Sequence, residues 1–337
     1  MMAGSNLLRD AWFLLIGVLF AGYAILDGFD LGIGVLLPFL ARSEEDKRSL
    51  IGAVGPVWDG NEVWLLAGGG ALFAAFPSAY ATVFSGFYLA LMILLFALIL
   101  RAVSLEFRAH DAPRKRLWEA AFVGGSAVPA LLFGVALGNV VGGVPLDARG
   151  EFAGSFVTLL RPLPLVFGLL GLCAILMHGA AYAVLKSEGA LRARAQRTAL
   201  KSALGFALAF ALSLAAVLIY LPSATKSVPA WIFSGLVWLS LAFFAVATRK
   251  GRDGLSFALS SAAFLSLWGI VGAIQYPNLV RASDPVLSLT IHNASSSALT
   301  LKAMLIIALI GMPLVIGYTI FAFRVFKGKV RAGGDGY

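Results

Sequence analysis

Residues 56–77 read PVWDGNEVWLLAGGGALFAAFP. The run is apolar enough to lie in a bilayer, yet Asp59, Asn61 and Glu62 stand within four residues of one another, and three consecutive glycines, Gly68 to Gly70, follow. A charged side chain at the centre of a membrane helix costs roughly 2.5–3.5 kcal/mol on insertion scales, so such residues face a bundle interior or a water-filled path.

The rest of the chain puts this stretch in a membrane. Of 337 residues, 60% are hydrophobic and 13% charged, and the mean hydropathy is +0.90. A soluble domain needs more charge than that to cover its surface. About twenty apolar residues span the hydrocarbon core as a helix, and that ruler predicts an all-α polytopic membrane protein of about nine transmembrane helices. The expected spans are 11–38, 51–76, 79–100, 118–140, 162–185, 202–221, 230–248, 255–276 and 299–323, forming one integral membrane domain over 1–337. The N-terminal apolar run continues to Leu40, too long for a signal peptide, and is expected to be a retained helix. Cys173 falls inside the fifth span, where it reads as a small buried hydrophobe.

The net charge of +9 raises nucleic acid as a partner, but its placement argues against one. With nine spans, the loops after spans one, three, five and seven share a side with the C-terminus. Those loops, with Arg101 and Arg108 after the third span, and the C-terminal segment, with Arg331, together hold 20 of the 26 Lys and Arg residues. The opposite side holds Arg9, Arg149, Arg161, Lys226, Arg281 and Lys302. Positive charge marks the cytoplasmic face, so the N-terminus is expected outside and the C-terminus inside.

Orientation turns sequence position into depth. Span one ends AILDGFDLGIG, with Asp27 and Asp30 three residues apart on one helical face. Asp59 and Glu62 repeat that spacing on span two, which returns from the cytoplasmic side. At 1.5 Å per residue, Asp27 and Asp30 lie roughly 5–15 Å below the cytoplasmic edge and Asp59 and Glu62 roughly 12–20 Å deep. Desolvation favours the neutral form of a carboxyl group, which brings proton exchange within reach. Four carboxylates on two adjacent helices thus read as a proton or ion path, with Asp59 expected to matter most for turnover. Against this stands a purely structural role, hydrogen-bonding to neighbouring helices or a partner. Trp58 and Trp64 flank the cluster with indole N–H groups suited to carboxylates or water. Gly28 and Gly32, like Gly68 to Gly70, suit close helix packing.

Other chemistry finds little support. DGFD has the first oxygens of a calcium loop but lacks the remaining ligands at the required spacing. Of three histidines, His110 and His292 fall in loops and only His178 lies within a span, so a bis-His haem has no second deep ligand. A His–Met site would need His178 with a methionine such as Met92, Met304 or Met312 from another span. Gln275, Asn278, His292 and Asn293 are expected on a hydrated external surface. On the residues alone, an ion-coupled secondary transporter and a purely structural membrane scaffold both remain open, and the absence of an internal repeat counts against the transporter.

Taken together, GYAILDGFDLGIG (22–34), GPVWDGNEVWLLAGGGALFAAFP (55–77), YATVFSGFYLALMILLFALILRAVSLEFR (80–108), PALLFGVALGN (129–139) and SLTIHNASSSALTL (288–301) resemble subunit II of the cytochrome bd-type quinol oxidases, including the cyanide-insensitive branch. The resemblance implies a heterodimer in the bacterial cytoplasmic (inner) membrane that oxidises quinol and reduces dioxygen to water. It implies two haems b and one haem d held by subunit I, with no cofactor, metal or catalytic residue in this chain. It further implies a role for subunit II in assembly and along the path that feeds cytoplasmic protons to the oxygen site, with Asp59, Asp27 and Asp30 at the family's aspartates. Trp64 stands at a tryptophan that in some members lines an oxygen channel. Glu62 replaces a glutamine of some relatives and adds a proton-carrying group. The His292–Asn293 pair departs from other members. Small single-span accessory subunits and a structural quinone or lipid are also compatible with the family pattern.

Overall fold

The computed structural model describes residues 2–330, and the side chains of residues 6–330. Arg331 and the Gly-rich tail, counted above, lie outside the described residues. The first expected span forms as two helices, α1 (Met2–Leu26) and α2 (Gly28–Leu40), with Asp27 at the joint. The expected second span is also divided. α3 (Glu44–Val54) is opened by a capping box, in which Ser43 Oγ accepts from Asp46 N and the Asp46 carboxylate accepts from Ser43 N. α4 (Trp58–Ala75) follows after a break at residues 55–57.

Downstream come α5 (Pro77–Gly86), α6 (Tyr88–His110), α7 (Lys115–Gly142), α8 (Pro162–Lys186), α9 (Gly189–Tyr220), α10 (Val228–Arg249) and α11 (Asp253–Gln275). The two short strands β1 (Asn278–Val280) and β2 (Leu289–Thr290) pair antiparallel before α12 (Ala298–Val325). Among the described residues, eight helices are long and apolar enough to cross a membrane: α1 with α2, and α6 to α12. α4 is the ninth expected crossing. Its polar first turns keep it below that apolar threshold, although 18 residues make a helix of roughly 27 Å.

The third span differs most from expectation. It runs from Tyr88 to His110 rather than over 79–100, because the chain turns at Phe87 and Pro77–Gly86 forms a separate short helix. Arg101 therefore sits in the body of a spanning helix and not in a cytoplasmic loop. Without it the charge asymmetry between the two sides persists.

α8 is the central element, packed against α2, α7, α9 and α11. Its crossing with α2 depends on glycine. A Cβ on Gly32 would stand 2.3 Å from the Ile175 carbonyl oxygen, and one on Gly179 would stand 2.5 Å from Gly32 Cα. The triple glycine behaves otherwise: Gly68 accepts the Phe20 ring, whereas Gly69 and Gly70 have open space before them. α12 lies at the edge against α1 and α4, with Leu301 its one buried residue. Trp12 Nε1 donates to Leu301 O at 2.9 Å and fastens α12 to α1. Cys173 is half-buried rather than buried.

The loop before α12 has a structural use. Ser296 donates through its backbone N–H to Ala75 O at 2.9 Å and through its hydroxyl to Ala74 O at 2.6 Å, which satisfies the carbonyls at the end of α4. His292 and Asn293 are exposed as expected, but Gln275 is buried and donates to Val140 O and Leu279 O.

Candidate functional site

The joint between α1 and α2 builds the site. On either side the ordinary ladder holds: Asp27 N donates to Tyr23 O and Leu31 N to Asp27 O. Between them Ile25 O and Leu26 O are bonded by side chains. Asn61 Nδ2 donates to Leu26 O at 2.9 Å, and the His178 Nε2–H donates to Ile25 O at 2.9 Å. A helix whose freed carbonyls are taken by neighbouring side chains can break inside a membrane protein without leaving polar groups bare.

The joint turns Asp27 and Asp30 into the protein, where both are fully buried. Arg101, also fully buried, reaches them from α6. Its Nη2 donates to Asp27 Oδ1 at 2.7 Å and its Nη1 to Asp27 Oδ2 at 3.0 Å, a two-pronged pair of the strong charge-assisted kind. The same Nη1 donates to Glu62 Oε1 at 3.1 Å, and Asp30 Oδ2 stands 4.0 Å from Nη2. Asn61, 2% exposed, donates to that Asp30 oxygen at 2.7 Å. Three carboxyl groups therefore surround one guanidinium. Asp30 Oδ1, the Tyr23 hydroxyl and Arg101 Nε are buried beside them without a protein partner, as expected where ordered water completes a polar network.

Of the seven residues singled out from sequence, Asp27, Asp30, Asn61 and Glu62 are brought together. Asp59 is not: it lies exposed on the first turn of α4, near Tyr318 and Thr319 of α12, and accepts from Gly60 N at 2.7 Å. Trp58 is half-buried against the core. Trp64 is buried against Leu19 and Tyr23, and its Nε1 has no partner, so it donates to none of the carboxylates. Arg101 was the residue missing from the sequence reading. Its signal is faint, a single cation followed by AVSLEFR, which continues in apolar, helix-compatible steps instead of breaking into a loop.

Glu62 is the least buried of the three carboxylates. Its side chain is 26% exposed and borders a cleft of about 1120 Å³ whose walls include Phe20, Tyr23, Phe133, Phe264 and Trp268. The buried cluster thus touches a large apolar cleft through one carboxylate.

No axial haem pair is offered by these residues. Both ring nitrogens of His178 are engaged with protein groups, Nε2 with Ile25 O at 2.9 Å and Nδ1 with Ser260 Oγ at 2.7 Å. His110 and His292 are exposed, one ending α6 and the other in the loop before α12. Among the described residues, no three His, Cys, Asp or Glu side chains converge on a metal site.

Fold and site together define a polytopic all-α membrane protein with a cluster of ionisable groups at a helix break. Residues 8–326 match the family described as "Cytochrome bd terminal oxidase subunit II", and the chain belongs to that family. It is 34% identical to the "Probable cytochrome oxidase subunit 2" of Haemophilus influenzae, covering 98% of this chain and 97% of that one. It is 34% identical to the "Cytochrome bd ubiquinol oxidase subunit 2" of Bacillus subtilis over 96% of this chain and 97% of the relative, and 32% identical to the "Cytochrome bd-I ubiquinol oxidase subunit 2" of Escherichia coli K12 over 98% and 97%. The fold is similar to a chain of the solved bd oxidase from Geobacillus thermodenitrificans, with a TM-score of 0.80 at 18% identity, covering 95% of this chain and 98% of that one.

Proposed function

We propose that this chain serves as subunit II of a membrane quinol:dioxygen oxidoreductase and conducts cytoplasmic protons toward the oxygen-reducing site of its partner, subunit I. The observation that carries the proton reading is Arg101 surrounded by Asp27, Asp30 and Glu62. Three carboxylates against one guanidinium leave an excess of two negative charges, which a low-dielectric interior does not tolerate. Two protons neutralise the cluster, so it is a place where protons are held and exchanged. Asp27 is gripped by both prongs of Arg101. Asp30, with one oxygen free of protein partners, and Glu62, bordering the cleft, carry the mobile protons. Asp59, exposed one turn before Glu62, hands protons between the surface of the chain and the cluster.

In this reading the chemistry at haem, two of b type and one of d type, belongs to subunit I, and small single-span subunits complete the complex. The membrane is the bacterial cytoplasmic one, with the N-terminus outside and the C-terminus cytoplasmic. The apolar cleft suits a lipid or a quinone tail as structural filler.

The test is purification of the complex through this chain, followed by its absorption spectrum, partner identification and quinol-driven oxygen consumption. Haem bands with a second large subunit, and a Glu62→Gln complex that keeps those bands while consuming oxygen at least about tenfold more slowly (roughly 1.4 kcal/mol on the limiting barrier), are the expected results. A colourless single chain, or unimpaired turnover in the variant, refutes the proposal. Labelling of a cysteine placed at residue 113 from the outer side of intact cells would overturn the orientation.

A further inference from the structure

His178 takes no part in the relay just proposed, yet few side chains are held more firmly. It is fully buried on α8, and its ring is stacked on Phe257 with centroids 4.8 Å apart and planes 9° from parallel. Phe264 and Phe29 pack against it at 5.2 and 5.9 Å. Its place along α1–α2 is fixed by the neighbouring Gly179, whose lack of a side chain lets α8 cross α2 at Gly32.

One polar contact of the ring assigns its hydrogen. A carbonyl oxygen can only accept, so the bond to Ile25 O requires the hydrogen on Nε2. With no carboxylate bonded to it, the buried imidazole is neutral, and Nδ1 is then the acceptor. The Ser260 hydroxyl donates to Phe257 O at 2.7 Å, and its oxygen also stands 2.7 Å from Nδ1, so the Ile25 carbonyl alone assigns the ring hydrogen. The Nε2–H tautomer satisfies a carbonyl that the broken helix leaves free.

We propose that His178 is a positioning residue for proton transfer: by donating Nε2–H to Ile25 O it holds α1 and α2 apart at Asp27, so that Asp27 and Asp30 meet Arg101. Asn61 does the same for Leu26 O while binding Asp30. The functional half of this inference rests on the relay reading above, whereas the helix break itself can be measured independently.

The experiment uses the whole purified complex with His178→Phe, His178→Gln and, as a control on the relay, Glu62→Gln. Phe keeps the aromatic packing and donates nothing. Gln carries an amide N–H at a similar reach to Nε2. Two quantities are read: amide hydrogen exchange in peptides covering residues 23–31, and oxygen consumption per haem. His178→Phe is expected to exchange about tenfold faster at the break, the effect of losing about 1.4 kcal/mol of local stability, and to turn over at least about fivefold more slowly. His178→Gln is expected to restore both to within about twofold. If His178→Phe prevents assembly, His178→Leu removes the same donor with a smaller apolar side chain, and it moves both readouts in the same direction. Native exchange in His178→Phe or His178→Leu, or a Gln variant as impaired as Phe, overturns the inference. Slow turnover in Glu62→Gln beside native behaviour in His178→Phe overturns it alone and leaves the relay standing. Native turnover in Glu62→Gln with fast exchange in His178→Phe overturns the relay and the functional half, and keeps the helix lock.

Discussion

Replacing Arg101 with Met keeps the length of the side chain and removes its charge from a position that is itself fully buried. The guanidinium makes three hydrogen bonds, at 2.7, 3.0 and 3.1 Å, to two carboxylates, with a third carboxylate at 4.0 Å. At an effective dielectric near 20, unit charges about 4 Å apart attract by about 4 kcal/mol. The carboxyl groups left behind take up protons and recover part of that, so the net loss is expected at roughly 3–5 kcal/mol, as for other buried pairs stripped of one partner. In the purified complex this lowers the melting temperature on the order of 10 °C. The double variant Arg101→Met/Asp27→Asn removes the stranded charge as well and is expected to be more stable than Arg101→Met alone, with a coupling of about 1–3 kcal/mol. A single variant melting within about 2 °C of the parent, or a double variant no better than the single, would refute the claim that these groups form one charge-balanced unit.

Other substitutions probe the surroundings. Asp59→Asn preserves shape and hydrogen bonding but cannot titrate, so the complex should keep its haem bands and consume oxygen at least about tenfold more slowly; wild-type turnover would remove Asp59 from the relay. Gly32→Ala places a methyl group against the Ile175 carbonyl and the backbone of Gly179, which should destabilise the complex by roughly 1–3 kcal/mol, and a melting curve unchanged from the parent would contradict the tight crossing. Glu119→Gln weakens the bonds from Arg108 at 2.8 and 3.1 Å and from Lys47 at 2.8 Å, with an expected loss of about 1.5–3 kcal/mol in melting experiments near neutral pH. The Glu119 hydrogen bond holds the Lys47 ammonium above the ordinary lysine range. That contribution is complete below the usual lysine value and disappears as pH rises through the higher folded value, so the parent should lose stability in alkali faster than Glu119→Gln.

Hydropathy made most of the spans legible because a helix in lipid must be apolar over a fixed length, and that constraint acts on each stretch by itself. The polar cluster was legible for the same reason, since Asp27, Asp30 and Glu62 stand out against apolar neighbours. What sequence hid was how the cluster is neutralised. The apolar run that starts near Ala79 ends at Leu100, which put Arg101 in a loop, and only the turn at Phe87 moves the helix ten residues downstream. Asp59 and Glu62 share a helical face to within about 60°, but the edge of the bundle falls between them, leaving one exposed and the other half-buried. Burial of that kind depends on α6 and α12, which no local spacing reports. The break at Asp27 was equally invisible, because its causes, Asn61 and His178, come from helices that follow in the chain.

Arg101 also sets an order of events in biosynthesis. It is made 74 residues after Asp27 and 39 after Glu62, so α1, α2 and α4 reach the membrane carrying acids whose counter-ion is still untranslated. At about 5–20 residues per second the wait from Glu62 is roughly 2–8 s. During that interval the early helices can settle only as neutral acids or near water at the insertion machinery, and the arrival of α6 is the step that lets them sink and close. A chain ending before residue 101 therefore lacks the one guanidinium that Asp27, Asp30 and Glu62 surround in the finished bundle.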